Sequence, residues 1–400
     1  MKAKIKGIIG NFRKNFVYKE IEWFFSDKSK KMSIMFAICL FAGFLVQRIE
    51  NFHPGKIINS FQDAVASSGF GAGFPVKVDG DKVNCKNFRP FGRDLVMITD
   101  TSLICFNPSA KKIFDRPHGL SRPILKCTRS RALVYDLNRN NFKIETKGKN
   151  IVNSNLTENI ISGGICESGN YAFAVESKDY PSKLMVFFED SKQAFSYSFS
   201  DCFLNNVSLS DDGKMVAVSG VLAQDGGLKS LIYVFEINSS KPKLKAEFYD
   251  VLFLDVVFLS NSNVIAIGDS LTCVIKVSSN EQKTYNYDQK PLTAFDVNPS
   301  VGAVLSLATK ADFTDCDLVT IDGRGQSKIM AQSGLNVSAL SYNKDGAIAS
   351  LGEGKFDVYS RHAKKIYSSC VSADVKAIGL FSSRSVYLLG VGEVNILDFA

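Results

Sequence analysis

Between Phe88 and Gly390 the chain repeats one pattern eight times: a short apolar run, a polar turn, then a second and more apolar run. The clearest copies are Val207–Val218, turning at Ser210-Asp-Asp-Gly213, and Ala339–Ser350, turning at Asn343-Lys-Asp-Gly346. Gly164–Val175, Val256–Ile267 and Ala294–Leu305 repeat it, and weaker echoes begin near Phe88, Ile124 and Ala377. Asp-Gly in such a turn supplies the positive φ that a tight hairpin requires. The turns recur about every forty residues, the period of propeller blades rather than of helical repeats.

Two further strands follow each hairpin, as in Ser230–Ile237 then Leu244–Tyr249, or Phe356–Tyr359 then Lys364–Ser368. The inner pair is continuously apolar, as expected of strands buried on both faces. The outer pair alternates, turning Lys and Glu to water. The last repeat, Val375–Phe399, supplies only three strands, while Phe74–Gly80 is a strand without a blade. Pairing the two closes a ring and hides both exposed edges. The pattern predicts an all-β fold, an eight-bladed β-propeller over residues 74–400. Seven blades is the alternative should the Phe88 or Ile124 copy not form one.

Upstream of the repeats the pattern breaks. Nine Lys and Arg residues from Lys2 to Lys31 oppose only Glu20, Glu22 and Asp27, so this stretch holds six of the net eight positive charges. The body is left near neutral, which speaks against a basic stripe and a nucleic-acid partner. Met32–Val46 then runs fifteen residues without a charge. That is short of the roughly 20 residues of a usual span, but Gln47 and Arg48 extend it by snorkelling. A buried core helix is disfavoured because the run lies outside the repeats. A cleaved signal peptide is disfavoured by the long leader and by Ala64-Val-Ala66 lying too far downstream.

The expected organisation is therefore a basic cytoplasmic tail (1–31), a transmembrane signal-anchor helix (32–48) and a stalk with a flexible linker (49–73). Lys28, Lys30 and Lys31 flank one end only, so the amino end is expected inside a cell membrane crossed once and the propeller outside. In the tail, Phe12, Phe16, Ile21, Trp23, Phe24 and Phe25 alternate with basic residues. An interfacial amphipathic helix and a frayed topogenic tail both fit. Gly69-Phe-Gly-Ala-Gly73 precedes a strand instead of following one, so it reads as linker, not as a phosphate loop.

The stretches Phe74–Val78, Leu95–Asn107, His118–Lys126 and Arg131–Ile144 resemble the domain-of-unknown-function 5711 family of Gram-positive, mostly anaerobic bacteria. Leu137-Asn-Arg-Asn-Asn141 departs from the glycine-containing turn expected there. The resemblance implies an anchored propeller in the cell envelope and supplies no activity and no site residues.

Chemistry is sparse. His53, His118 and His362 fall in unrelated repeats without ligand spacing, and no hydrolase, zinc or Cys-x-x-Cys motif occurs. The only tryptophan is Trp23, so the repeated tryptophan motifs of quinone-dependent propellers are absent. No cofactor, metal or catalytic residue is expected. Nine cysteines are scattered singly, mostly in strands, where a thiol serves as a small hydrophobe. Cys127 and Cys166 occupy equivalent positions in neighbouring repeats and are the pair most worth testing for a disulfide.

Three loops between second and third strands are longer than the rest, and all fall on one rim, in blades three, four and six. They hold Asp179 and Tyr180 in Glu176–Lys183, Gln224 and Asp225 in Gly220–Lys229, and Asp312, Phe313 and Asp315 in Ala308–Cys316. Insertions confined to one face of a repeat array mark a binding face. Asp312, Asp315 and Asp317 hint at calcium without a recognised loop. Two functions stay open. One is a non-enzymatic scaffold or sensor binding a protein in the envelope; the other is a propeller that binds or processes a small ligand or glycan at the channel mouth.

Overall fold

Eight four-stranded antiparallel sheets succeed one another around a ring in the computed structural model, which describes residues 62–399. The blades occupy residues 88–117, 123–155, 160–199, 203–249, 253–286, 292–332, 339–370 and 377–398. The expected tail, signal-anchor and most of the stalk lie outside the described residues. Among the described residues no helix is long and apolar enough to cross a membrane. Residues 62–400 form a compact unit of their own.

The eighth blade has three strands from the end of the chain, Ala377–Leu380, Ser385–Leu389 and Glu393–Asp398, and takes its fourth from Val76–Lys77. Val76 lies opposite Val394 and Lys77 opposite Glu393. The Val78 N–H donates to Gly392 O at 3.1 Å and the Gly80 N–H to Val391 O at 2.9 Å. Phe74, Val76 and Val78 pack onto the cluster holding Tyr387, Leu389 and Val394. The ring is thus closed as the unpaired first strand implied.

Core packing follows from the two-residue period of a strand. Eight apolar clusters fill the eight spaces between neighbouring blades. Val216 and Val218 face blade 3, and Ala217, between them, faces blade 5. Second strands such as Tyr171–Val175 and Gly302–Ala308 are buried throughout, and the outer strand Leu244–Tyr249 alternates strictly. First strands differ from the continuous burial expected of them. In Phe253–Leu259, Phe253, Val256 and Phe258 are buried, whereas Leu254 is exposed and Asp255 half-buried. These strands line the central channel, where one side of each meets water.

A channel-lining strand has no sheet neighbour on its inner edge, so its backbone groups need other partners. Polar side chains of the preceding blade supply them. Asn87 Oδ1 accepts from Leu125 N at 2.9 Å, Ser208 Oγ from Phe258 N at 3.0 Å and Ser341 Oγ from Leu380 N at 2.9 Å. Asp296 Oδ2 accepts from Tyr342 N at 2.8 Å. The inner ring is stitched blade to blade by side chains.

The segment Ser67–Gly73, read as linker, runs along blade 1. Asn107 Nδ2 donates to Ser67 O and Gly69 O at 3.0 and 2.9 Å, Gly71 N donates to Ser109 Oγ at 3.1 Å, and Gly73 N to Ser109 O at 3.2 Å. Gly71 serves close approach, since a Cβ there would lie 2.2 Å from Lys111 N, whereas Gly69 and Gly73 take positive φ of 97° and 87°.

Candidate functional site

Blade geometry sorts every connection onto one of two faces. Turns joining first to second and third to fourth strands open on one side, here the turn face. Turns joining second to third strands, and the links between blades, open on the opposite crossover face. The three expected loops therefore share the crossover face, as their common position in the repeat requires.

Blade 3 presents residues 176–181 as a loop, with Tyr180 exposed and the loop base tied by Asn159 Nδ2 to Glu176 Oε2 at 2.8 Å. In blade 4 there is no irregular loop. The strands Met215–Gln224 and Gly227–Glu236 continue to a two-residue turn, with Gln224 opposite Gly227. Asp225 and Gly226 have φ of 53° and 80°, the positive pair that such a turn requires. The stretch Gly220–Lys229, expected as an inserted loop, is instead a hairpin projecting from the ring. In blade 6, Phe313 is exposed with φ at 60°, a left-handed conformation unfavourable for a bulky side chain.

These residues form two groups, since blade 5 separates Phe313 from Tyr180 and Asp225. The three aspartates do not converge. Asp312 Oδ1 accepts from Thr314 N and Oγ1, Asp315 Oδ1 accepts from Gly334 N, and Asp317 Oδ2 meets Lys290 Nζ at 2.8 Å. Among the described residues no cluster of three or more His, Cys, Asp and Glu is arranged to hold a metal.

The structure adds apolar residues that the loop lengths did not reveal. At the crossover end of blade 4 and in its link into blade 5, Phe203 (60 % exposed), Tyr249 (62 %), Leu252 and Leu254 stand open to solvent. Leu254 is there because the first strand of blade 5 shifts register between Phe253 and Asp255, leaving it without a partner. Such a bulge re-aims a side chain. Equivalent shifts occur in the first strands of blades 3, 4 and 6. The signal in the sequence is Val251-Leu-Phe-Leu254, an apolar run in which alternate residues cannot all be buried.

Four charged residues in otherwise apolar first strands meet inside the channel. Arg89 Nη1 of blade 1 lies 3.0 Å from Asp296 Oδ1 of blade 6, and Lys126 Nζ of blade 2 lies 3.7 Å from Asp255 Oδ1 of blade 5. Neither pair joins neighbouring blades, so both bridge the opening. The Asp255 charge raises the Lys126 ammonium above the ordinary lysine range, against the opposing effect of burial. Cys127 sits beside both cations, yet burial dominates and pushes its thiol up to about 11. A thiol so placed is no nucleophile at neutral pH.

Other candidate chemistry is structural. His118 is buried, its Nδ1 accepting from Leu120 N at 3.0 Å and its Nε2 3.1 Å from Thr99 O, so backbone groups hold the ring on both sides. The eight cysteines of the described residues are unbonded. Cys127 Sγ faces Pro90 O, whereas Cys166 Sγ faces Ser168 Oγ and Asn170 O.

The two faces differ in charge. The turn-face connections carry fifteen Lys and Arg residues against six Asp and Glu. The crossover-face connections carry fifteen Asp and Glu against eight Lys and Arg. The near-neutral body expected to lack a basic surface is thus polarised along the ring axis.

Solved structures share this architecture at low identity. One described as the crystal structure of the eukaryotic initiation factor is 12 % identical, with a TM-score of 0.53, covering 82 % of this chain and 87 % of that one. BamB from Moraxella catarrhalis is 10 % identical, with a TM-score of 0.50, covering 82 % and 98 %. Likeness at this level concerns the fold alone. No curated protein matches the chain in sequence. A family model described as a family of unknown function, DUF5711, matches residues 76–398.

Proposed function

The chain belongs to the DUF5711 family, whose function is unknown, and we propose that it is a membrane-anchored, extracytoplasmic propeller acting as a non-enzymatic protein-interaction scaffold or sensor. The observation that carries this reading is the crossover face, where Phe203, Tyr249, Leu252 and Leu254 are each exposed among acidic connections. Aromatic and aliphatic anchors at the centre of a patch with a polar rim are the anatomy of a protein interface. The chemistry fits a partner that brings an apolar knob and a basic rim. A small ligand in the channel is the weaker reading, because the charged groups there face one another as ion pairs.

Membrane attachment rests on the uncharged run Met32–Val46 and the lysines before it. The binding claim is tested by a photo-crosslinking residue placed at Tyr180 on the crossover face or at Lys192 on the turn face, in native membranes. The expected result is one specific adduct from position 180, absent from position 192 and lost with Leu254→Asp. Equal adducts from both faces, or an adduct indifferent to Leu254→Asp, refute the reading.

A further inference from the structure

We infer that the turn face of the propeller lies against an anionic lipid bilayer, with Phe70 seated at the level of the headgroups. The inference rests on the anchored reading above and adds an orientation and a ligand chemistry. Its first support is charge. Of the fifteen cations on turn-face connections, Arg93, Arg129, Lys149, Lys214, Lys344 and Arg384 are exposed and form no ion pair within 4.0 Å among the described residues. Cations near an anionic lipid surface are attracted within a Debye length, about 8 Å at physiological salt. The acidic excess of the opposite face is repelled by the same field, so both ends of the ring favour one orientation.

The second support is where the chain runs. Residues 62–73 cross the turn face and no other: Asp63 Oδ1 accepts from Gly148 N at 2.9 Å in blade 2, and Ser67–Gly73 is tied to residues 107–111 of blade 1. The basic and uncharged stretches of the sequence lie upstream, the uncharged run ending at Val46 with fifteen residues between it and this segment. The third support is Phe70, which is 94 % exposed between Gly69 and Gly71 while its backbone neighbours are hydrogen-bonded. Phe188, on the turn face of blade 3, is also exposed. An aromatic ring held out from a basic surface matches the amphipathic headgroup zone, where rings and lysines both gain. A polynucleotide would use the same cations but gives no reason for the chain path or for an isolated phenylalanine.

The test uses residues 62–400, a separate compact unit whose ring closes on its own strand. It is mixed with vesicles of phosphatidylcholine alone, vesicles containing phosphatidylglycerol, and RNA. Binding is expected only to anionic vesicles, weaker by at least about tenfold in Arg129→Glu/Lys149→Glu/Lys344→Glu and in high salt. Phe70→Trp, the only tryptophan in this fragment, should shift to the blue and be quenched by brominated lipid, whereas Tyr180→Trp should not. Should the triple variant unfold, the salt series and the two tryptophan probes give the same reading. Equal binding to neutral vesicles, quenching at position 180 instead of 70, or RNA binding as tight as anionic-vesicle binding overturns the inference. Alkaline extraction of the full chain from membranes tests the anchor separately: a chain released by carbonate sinks the anchored reading and leaves the vesicle result standing.

Discussion

Arg89 and Asp296 meet across the central channel at 3.0 Å, and the second Asp296 oxygen accepts the Tyr342 N–H at 2.8 Å. One carboxylate therefore joins blades 1, 6 and 7. Its two partners are not equivalent: Tyr342 is a buried backbone donor, whereas Arg89 keeps 42 % of its side chain exposed.

That asymmetry sets the cost of breaking the pair. Asp296→Ala leaves the buried Tyr342 N–H unsatisfied and removes the ionic partner of Arg89, and should cost about 2–3 kcal/mol. Arg89→Met removes a partly solvated partner and should cost about 1 kcal/mol or less. Urea denaturation of the two variants checks the order. Equal losses would mean that the ion pair, not the backbone contact, dominates.

Ring closure depends on Gly80. A Cβ there would lie 2.0 Å from Gly390 O, next to the Val76–Lys77 strand that completes blade 8. Gly80→Ala should destabilise by about 2 kcal/mol or more through this clash. Gly226→Ala, which has positive φ but nothing within 4 Å, should cost about 1 kcal/mol. Thermal melts and proteolysis near residue 80 distinguish the two.

Acid sensitivity should trace in part to Asp357. Burial works against its charge, but hydrogen bonds from Ser368 and Lys365 and the Lys365 charge outweigh burial and hold the carboxyl below the ordinary aspartate value of 3.8. A carboxyl depressed in the folded state stabilises fully above its unfolded value, and this contribution fades as pH falls through the lower folded value. Stability should therefore decline below about pH 4, and Asp357→Asn should flatten that limb. An unchanged acid limb in the variant counts against this assignment.

Thiol reactivity should follow burial. Cys85 and Cys370 are exposed, whereas burial pushes the Cys273 thiol up to about 11 and raises those of Cys105, Cys166 and Cys202. Apart from Cys39, which lies outside the described residues, native protein should react with maleimide at Cys85 and Cys370 only. Mass spectrometry of labelled peptides reads this directly, and rapid labelling at Cys273 would contradict it.

Phe313 is held at φ 60° with its ring exposed, a choice that stability alone does not favour. Phe313→Gly should raise stability by about 1 kcal/mol or less. Any partner that uses this rim should bind the variant more weakly. A fall in stability would show that the ring packs in a way its exposure does not suggest.

Much of this molecule was legible as sequence because strand burial has a period of two and a blade has a period of about forty residues. Copies such as Val207–Val218 announce themselves. A last repeat one strand short, facing a lone early strand, requires closure because an unpaired edge is unfavourable. Loop lengths likewise located Asp179, Tyr180, Asp225 and Phe313 on one face, since position within a repeat determines side. Their lengths did not reveal that Gly220–Lys229 is paired to its tip, because the same residues serve a long loop and a long hairpin until register is known.

Sequence by itself determined the blade count, the closing strand and the rim of the unequal loops, all consequences of local periodicity. Tertiary structure alone decided which distant charges meet, as Arg89 does Asp296 and Lys126 does Asp255, because those contacts depend on ring curvature rather than on spacing. It decided that a bulge turns Leu254 outward. It also decided that a body with nearly balanced charge is basic at one end and acidic at the other: net charge sums over the chain, whereas a surface potential depends on where the turns point.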